Sequence, residues 1–314
     1  MDPSDQEPSE PRQPRNFQDV LRYAIEAGNN AQTQRTEPDI SPLDPERRQF
    51  LEQAIQSLTV DTVRILSAAI ETLKSLSKDT LAPETYQDAL DEIADHVDNI
   101  DAANDFVKLG GFTIIDSCLH SQHPGIRWRI ADIIAQCTQN NPFCQNHALN
   151  LRLLEQLITM VDKDPDEQCK TKAFFAISNI VRDSAVGLKE FMRLNGFSAV
   201  KKALVSNTDK LRMKASFFFN SVVSNQPTVT WDVVSMGFPE LLVSQLQLPP
   251  GPSHEFNASS LLLLVQNSKE ALATCKKPDL KLVEILNRII DDQKTDDTYS
   301  ELVESCKQLL VLVR

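Results

Sequence analysis

Glycine is scarce in this chain, and long apolar runs are absent from it. Only 8 of the 314 residues are glycine, and Gly110-Gly111 has no further glycine at the spacing of a phosphate-binding loop, so we interpret that pair as a helix break. No apolar run approaches the length of about eighteen residues that a membrane-spanning helix needs. The first thirty residues lack a basic start followed by an apolar stretch. We therefore expect neither a secretory signal nor a membrane partner.

Cysteine is present, but not at the spacing of a metal site. The chain has 6 cysteines and no Cys-x-x-Cys pair, and most of the six lie inside apolar helical patterns. Histidines lie near Cys118 and Cys144, which could suggest zinc, but a second pair of ligands at the usual spacing is missing. We expect no metal and no cofactor. Small buried thiols are typical of a reducing compartment, so the expected location is cytoplasmic.

An excess of positive charge is also missing. The chain carries 32 Lys and Arg against 44 Asp and Glu, a net charge of -12. Phosphate backbones repel such a chain, so no nucleic-acid partner is expected and a protein partner is favoured. We recognise no nucleophile with its base, no paired carboxylates and no cofactor loop, which indicates a binding protein and not an enzyme.

Two columns of residues recur along the chain. Basic pairs stand at Arg127-Trp128-Arg129, Lys170-Thr171-Lys172 and Arg212-Met213-Lys214, with first members 43 and 42 residues apart. Each pair opens an apolar run of helical period. The second column is Gly111, Asn150, Gly196 and Gly237, at spacings of 39, 46 and 41 residues. It predicts a left-handed residue that ends one helix of each unit. Periods of this size are typical of armadillo and HEAT units.

The repeats predict an all-α fold, a right-handed armadillo-like α-solenoid with helical caps, and a monomer. We divide the chain into disordered residues 1–16, a short amphipathic helix 17–28, a linker 29–44, an N-terminal helical cap 45–98, four armadillo-like repeats 99–254 and a C-terminal helical cap 255–314. Helices are predicted at 46–58, 60–76, 84–97, 128–139, 170–182, 212–224, 255–275, 279–291 and 297–313. The helix at 17–28 either caps the solenoid or serves as a tethered ligand for another surface.

Several segments of the repeats resemble a known family. They are Asn99–Gly111, Ile126–Ala131, Lys172–Arg182, Phe191–Phe197 and Lys210–Phe219. In order and spacing they resemble the armadillo-type nucleotide exchange factors of the seventy-kilodalton heat-shock chaperones, over roughly residues 46–310. The segment Phe17–Ala27 is similar to a short amphipathic segment near the start of those proteins.

The resemblance implies a function without covalent chemistry. Members of this family wrap the concave face of the solenoid around one lobe of the chaperone's ATPase domain and loosen the other lobe, so that ADP leaves the cleft. The implied partner is the ATPase domain of a cytosolic chaperone, since we expect neither a signal peptide nor a retention tail of the endoplasmic-reticulum branch. The segment before the solenoid is implied to imitate an unfolded client.

The candidate binding residues lie mainly on the third helix of each unit, which lines the concave surface of an armadillo array. Basic side chains at a helix start oppose the helix dipole, which favours a binding role for the pairs. The polar residues that close these helices are predicted to point inward as a ladder. The candidate set is Ala102, Arg127, Trp128, Arg129, Gln136, Lys172, Asn179, Arg182, Lys214 and Ser221. We expect Arg129 and Arg182 to be exposed.

Other interpretations of these residues stay open. The basic pairs could cap or solvate helix starts, Arg182 suits the dipole at a helix end, and Asn179 could be a buried amide. The acidic series 88–98 is either a solvated face or a complement to a basic partner. The alternative function is a generic armadillo adaptor for an extended peptide. Such an adaptor would use tryptophans at equivalent positions, whereas Trp128 and Trp231 are not equivalent.

Overall fold

The protein is described by a computed structural model that covers residues 61–76, 81–293 and 296–314. Within this part of the chain, Thr62–Arg314 form one unit. The predicted disordered segment, the amphipathic helix at 17–28, the linker and the helix at 46–58 lie outside the described residues.

Every regular element of the described residues is a helix, so the all-α prediction is confirmed. The α-helices are α1 Thr62–Lys74, α2 Pro83–Ala94, α3 Ile100–Lys108, α4 Ile115–Leu119, α5 Pro124–Thr138, α6 Pro142–Asn150, α7 Leu153–Lys163, α8 Glu167–Val181, α9 Ala185–Arg193, α10 Phe197–Leu204, α11 Asp209–Asn225, α12 Thr230–Ser235, α13 Phe238–Leu246, α14 His254–Asn267, α15 Lys269–Cys275, α16 Leu282–Gln293 and α17 Ser300–Val313. Short 3-10 helices occupy Gly111–Ile114, Pro227–Val229, Pro278–Leu280 and Asp297–Tyr299.

From α3 onward the helices follow one another in triplets, and the third helices pack side by side. These are α5, α8, α11, α14 and α17, and α2 packs on α5 at the N-terminal end. We call the set α2, α5, α8, α11, α14 and α17 the third-helix row. The predicted segments at 128–139, 170–182 and 212–224 belong to α5, α8 and α11, so their expected adjacency is confirmed.

Each third helix with a basic pair begins three residues before that pair. α5 starts at Pro124, α8 at Glu167 and α11 at Asp209, so the prediction that the pairs open the helices is wrong by most of a turn. Proline suits a first helical position because the N–H that it lacks would have no partner inside the helix. Asp166 caps α8, since its carboxylate accepts a hydrogen bond from the backbone N–H of Cys169.

The glycine column marks close contacts more often than left-handed residues. In the four units that carry the column, the left-handed residues before the second helices are Gly110, Arg152, Asn195 and Gly237, so the column coincides with them only at Gly237. Gly111 and Gly196 lie against the rings of Phe106 and Phe191, and a Cβ at either glycine would overlap the ring. Glycine is needed there for its missing side chain, and the neighbouring residue takes the left-handed turn.

Aromatic rings from neighbouring units interlock in the core. Phe218 meets Phe174 edge-to-face with ring centroids 5.7 Å apart and Phe191 at 5.4 Å. Phe219 stacks on Phe238 of the next unit at 4.3 Å. Such pairs contribute about 0.5 to 1.5 kcal/mol each beyond the burial of their surface. They fix α8, α11 and α13 against one another, and with them the exposed faces of the third helices.

The C-terminal part departs from the predicted pattern. The segment predicted as one helix at 255–275 is two helices, because Ser268 has extended backbone and its hydroxyl accepts a hydrogen bond from the N–H of Ala271. Helix α14 packs on both α11 and α13, as the other third helices pack on their neighbours. We therefore propose that the fourth unit continues through Asn267 instead of ending at residue 254.

Candidate partner-binding surface

The two members of each basic pair point to different sides of their helix. Positions two residues apart on an α-helix are turned by about 200° from one another. The first members are Arg127, Lys170 and Arg212, and the second members are Arg129, Lys172 and Lys214. The surroundings of the two groups differ accordingly.

Arg127 is a structural residue whose side chain is largely covered. Its guanidinium donates to both carboxylate oxygens of Asp164 at 2.7 and 2.9 Å and to the carbonyls of Ser121 and Gln122 at 2.9 and 3.1 Å. The side chains of Arg127 and Asp164 are 11% and 6% exposed. The hydrogen bond to Asp164 raises the pKa of Arg127. The prediction that Arg127 faces a partner is therefore wrong, because its donors join α5 to the chain that follows α7.

The other first members are neutralised by carboxylates of their own helix starts. The ammonium of Lys170 lies 2.7 Å from Glu167. Arg212 donates to the carbonyl of Ser206 at 2.6 Å and to the carboxylate of Asp209. An acidic residue in the first turn balances each cation, so the conflict with the helix dipole that favoured a binding role does not hold for these residues.

Arg129 is the most constrained of the second members. It donates to Asp91 at 2.7 Å, to Gln87 at 3.0 Å and to the carbonyl of Gly125 at 3.0 Å, and its guanidinium lies 4.2 Å from the ring centroid of Trp128. The prediction that Arg129 is exposed is wrong: its side chain is 19% exposed, because these bonds tie α5 to α2. They also show that one member of the acidic series 88–98 pairs within the protein.

Lys172 and Lys214 are the second members of the next two pairs towards the C-terminus. The ammonium of Lys172 lies 2.7 Å from Asp132 and 6.0 Å from the ring of Trp128. The ammonium of Lys214 lies 3.9 Å from the ring of Phe175 and makes no ion pair with any residue that the structure describes. Burial lowers the pKa of Lys214, the nearby charge of Lys172 lowers it further, and Asp132 opposes the shift. Lys214 is thus a half-buried cation without a carboxylate partner among the residues that the structure describes.

Arg182 directly follows α8, and its side chain lies near these second members. Its guanidinium lies 5.3 Å from the ring of Phe217, which is 41% exposed and meets Phe256 edge-to-face at 5.4 Å. Each of these cations therefore contacts an aromatic ring or a carboxylate of its own helix or of the neighbouring third helix. We call this set the cation–aromatic stripe, and its members are Trp128, Arg129, Asp132, Lys172, Phe175, Arg182, Lys214 and Phe217.

Asn179 does not face the stripe. It is 3% exposed, and its amide donates to the carbonyl of Ala135 at 2.9 Å. The amide of Gln145 in turn donates to the carbonyls of Thr138 and Asn179 at 3.2 and 2.8 Å. Carbonyls in the last turn of a helix lack partners inside it, and these amides supply them. The prediction of an inward asparagine is wrong, and the open alternative of a core amide is correct.

The remaining candidates are not members of the cation–aromatic stripe. Gln136 is half-buried, with its amide 3.5 Å from Asp132, and Ser221 is half-buried on α11. Ala102 is half-buried on α3, the first helix of its unit, and so lies off the third-helix row. The structure brings together Trp128, Arg129, Lys172, Lys214 and Arg182, and it separates Arg127 and Asn179 from them.

Three residues of the stripe escaped the sequence-based selection. Asp132, Phe175 and Phe217 each stand three positions after the second basic residue of their unit, at spacings of 43 and 42 residues. Residues three apart lie on one face of a helix. The same spacing that revealed the basic pairs would have revealed this column.

Among the residues that the structure describes, no group of His, Cys, Asp and Glu is arranged to hold a metal ion, and no helix is long and apolar enough to cross a membrane. All six cysteines are buried and unpaired. Burial raises the pKa of the Cys118 and Cys306 thiols to about 12, so these sulfurs stay protonated near neutral pH.

Known proteins resemble the chain in sequence and in fold. A family model described as the SIL1/FES1/HPBP1 C-terminal domain matches residues 102–230, and one described as nucleotide exchange factor Fes1 matches residues 17–106. Hsp70-binding protein 1 of Mus musculus is 31% identical over 311 residues, which cover 96% of this chain and 86% of that protein. Hsp70 nucleotide exchange factor FES1 of Coccidioides immitis is 28% identical over 178 residues, which cover 56% of this chain and 82% of that protein.

Among solved structures, a computationally designed armadillo repeat protein for modular peptide recognition superposes with a TM-score of 0.66 at 14% identity. The match covers 79% of this chain and all of the designed protein, and it confirms the armadillo-like fold. The predicted family relationship is confirmed by the sequence matches, which run through both family models and nearly the whole chain. The chain belongs to the SIL1/FES1/HPBP1 family.

Proposed function

We propose that this chain is a nucleotide exchange factor of Hsp70, the seventy-kilodalton heat-shock chaperone. The observation that carries the proposal is the 31% identity to Hsp70-binding protein 1 across 96% of the chain. The similarity to a protein named Hsp70 nucleotide exchange factor FES1 supports the same activity. The chain then acts as a co-chaperone by binding, without catalysing a covalent step.

The cation–aromatic stripe is the surface that we assign to the chaperone's ATPase domain. The stripe has four cations, Arg129, Lys172, Arg182 and Lys214, and three carboxylates lie next to them: Asp91 beside Arg129, Asp132 beside Lys172 and Asp183 beside Arg182. The stripe is therefore positive within a chain of net charge -12. A partner surface that fits it presents carboxylates between apolar groups, since complementary charge fixes orientation and speeds association.

Phe217 and Lys214 are the centre of this assignment. Phe217 is a large apolar side chain that is 41% exposed, and Lys214 is desolvated without a carboxylate partner among the described residues. A partner carboxylate placed beside Lys214 would form an ion pair that folding alone leaves unmade. Aromatic and cationic side chains of this kind commonly supply most of the energy of an interface.

Exchange follows from binding through linkage. If the stripe binds the open ATPase domain better than the ADP-closed one, then this chain lowers the affinity for ADP by the same factor by which ADP lowers the affinity for this chain. A hundredfold loss of ADP affinity needs a difference of about 2.7 kcal/mol between the two states. A standard interface of about 1,600 Å² can supply such a difference from a few contacts.

The chain is proposed to act as a monomer in the cytosol. Six buried, unpaired cysteines suit a reducing compartment. The runner-up function, an adaptor for an extended peptide, is less favoured because it relies on an asparagine ladder, and Asn179 is occupied inside the core.

A release assay tests the proposal. Purified Hsp70 ATPase domain is loaded with fluorescent ADP, mixed with excess unlabelled ADP and this chain, and the decay of fluorescence is followed. Release should become faster and should saturate with the concentration of the chain. An unchanged rate, with a stable complex visible by calorimetry, would leave binding intact and refute exchange activity. Absence of a complex would refute the partner.

A further inference from the structure

The turn that precedes each third helix with a basic pair has one residue in a recurring role. It stands six residues before the first member of the pair, and the three such residues are Ser121, Asp164 and Ser206. Each side chain accepts a hydrogen bond from the backbone N–H two residues further on, at 3.2, 2.9 and 3.1 Å. The three are therefore equivalent parts of equivalent turns, and we call them the turn residues.

One turn residue forms an ion pair with the preceding unit. Asp164 binds Arg127, the first member of that unit, through both of its carboxylate oxygens. One unit further along the chain, Ser206 stands in the same relation to Lys170. A serine hydroxyl carries no charge, so Ser206 does not give Lys170 the counter-charge that Asp164 gives Arg127.

Ser206 and Lys170 line the same cavity of about 240 Å³, together with the charged residues Asp162, Glu167 and Lys202. The carboxylate of Glu167 lies 2.7 Å from the ammonium of Lys170 and accepts a hydrogen bond from the hydroxyl of Ser206 at 3.4 Å. Glu167 thus stands between the cation and the serine. Its side chain is 47% exposed and that of Lys170 is 23% exposed, so the carboxylate turns into solvent more readily than the ammonium does.

Ser206 lies in an accessible turn and in a sequence that one class of protein kinase selects. It is half-buried between α10 and α11, and its neighbours Val205 and Asn207 are exposed. Asp209 follows it by three positions, and acidophilic serine/threonine kinases recognise an acidic residue at that distance. In the described part of the chain the same pattern also follows residues that lie inside helical segments, namely Thr85, Thr113, Thr159 and Thr298. The turn and the facing Lys170 distinguish Ser206 from them.

We propose that Ser206 is a phosphorylation site whose phosphoryl group pairs with Lys170. An acidophilic kinase supplies ATP, and a bond forms between Oγ of Ser206 and the γ-phosphorus. The bond from that phosphorus to the β-phosphate oxygen breaks, ADP leaves, and the hydroxyl proton passes to a base of the kinase.

The phosphoryl group adds about 1.5 to 2 negative charges near neutral pH. It takes Lys170 from Glu167, which turns into solvent, and Lys202 is a second cation within the same cavity. The modification then joins α8 to the turn before α11, as Asp164 joins α5 to the turn before α8. Neither Ser206 nor Lys170 belongs to the cation–aromatic stripe, so the inference does not depend on the proposed exchange activity.

The first experiment asks whether Ser206 is modified. The full chain is incubated with the acidophilic casein kinase II and MgATP, and the phosphorylated residues are mapped by mass spectrometry. Ser206 should carry phosphate. Ser121 is the matched control, because it is a half-buried turn residue whose third following position is Pro124, and it should stay unmodified. Absence of phosphate at Ser206, or equal modification of Ser121, would overturn the proposal.

The second experiment asks what the phosphoryl group contacts, in a full chain made with phosphoserine encoded at position 206. The second pKa of a phosphoserine is about 6, and a neighbouring ammonium lowers it whereas a neighbouring carboxylate raises it. By 31P NMR this pKa should lie below its value in the urea-unfolded chain. The modified chain should also have a Tm about 2 to 4 °C above that of the unmodified one. Lys170→Met should remove both effects, and Lys189→Met, at an exposed lysine of α9, should keep them.

Two results of the second experiment would refute the pairing. A second pKa at or above that of the unfolded chain would show that repulsion by Glu167 and Asp162 outweighs the attraction of Lys170. A lowered pKa that Lys170→Met leaves unchanged would assign the phosphoryl group to another cation.

Discussion

Replacing Lys214 with glutamate should separate binding from folding. The ammonium of Lys214 lies over the ring of Phe175 and makes no ion pair with a described residue, so the folded chain loses one cation–aromatic contact, about 0.5 to 1 kcal/mol. In the wild type Lys172 repels Lys214 and Asp132 attracts it; the new carboxylate is attracted by Lys172 and repelled by Asp132, so the two changes oppose each other. The free energy of unfolding should change by less than about 1 kcal/mol, and Tm by no more than about 4 °C.

The effect of Lys214→Glu on the complex should be much larger. A carboxylate of the partner beside Lys214 would lose its counter-charge and meet a like charge in a desolvated place. Changes of this kind cost about 2 to 4 kcal/mol. The Kd for the Hsp70 ATPase domain should therefore rise about thirtyfold to a thousandfold.

Lys189→Glu is the matched control, because Lys189 is an exposed residue of α9, which lies off the third-helix row, and the change in net charge is identical. Calorimetric titration with the ATPase domain gives the Kd of both variants, and differential scanning calorimetry gives their Tm. Wild-type affinity of Lys214→Glu at normal Tm would place the interface elsewhere. Equal losses in both variants would show that only net charge matters, and the argument from the stripe would fail.

Three further outcomes are expected. Arg127→Met should lower the free energy of unfolding by about 3 to 5 kcal/mol near neutral pH in denaturant titrations, because it leaves Asp164 buried without a counter-charge. Burial alone would raise the pKa of Asp164, but Arg127 holds it below its ordinary value. This stabilisation is fully present above the ordinary aspartate pKa and is lost as pH falls from there to the lowered pKa of Asp164, so the deficit of the variant should shrink over that range, and a constant deficit would contradict the assignment. Asn179→Ala should cost about 1 to 3 kcal/mol in the same titrations, with an unchanged value showing that its bond to Ala135 is dispensable. A chain lacking residues 1–43 should still accelerate ADP release from the ATPase domain, whereas release of a bound client by intact chaperone should slow, and loss of ADP release would move the active surface into the missing segment.

The periodicity of the sequence was sufficient to predict the architecture and about half of the candidate site residues. A repeat that buries its apolar face only against its neighbours must show its period in the sequence, and the columns at 43 and 42 residues located α5, α8 and α11. The same columns selected both members of each basic pair. Helical geometry turns those members about 200° apart, so only one of them can lie on any given face. Applying that rule would have assigned Arg127 and Arg129 to different environments.

The burial of Asn179 could not be predicted from the same geometry. Asn179 stands seven residues after Lys172, and such positions lie on nearly the same side of a helix, yet Lys172 is partly exposed and Asn179 is not. The difference comes from the neighbouring helix, whose last turn ends beside Asn179 and offers the carbonyl of Ala135. Which carbonyl needs a partner depends on where α5 ends in space. That information belongs to the packing of two units and not to the sequence of one.

The two environments of the basic pairs bear on how a solenoid can promote exchange. Binding can deform the exchange factor, and the energy of that deformation reduces the difference in its affinity for the two states of the ATPase domain. A deformable factor therefore lowers the affinity for ADP less than a rigid one does. Here the adjacent third helices α5 and α8 are tied at both ends. Near their starts, Arg127 of α5 binds Asp164, which precedes α8, and near their ends Asn179 of α8 binds the carbonyl of Ala135 in α5. Arg127 and Asn179 thus hold the spacing of α5 and α8. We propose that the second members of the pairs on these two helices, Arg129 and Lys172, are presented to the partner at that fixed spacing.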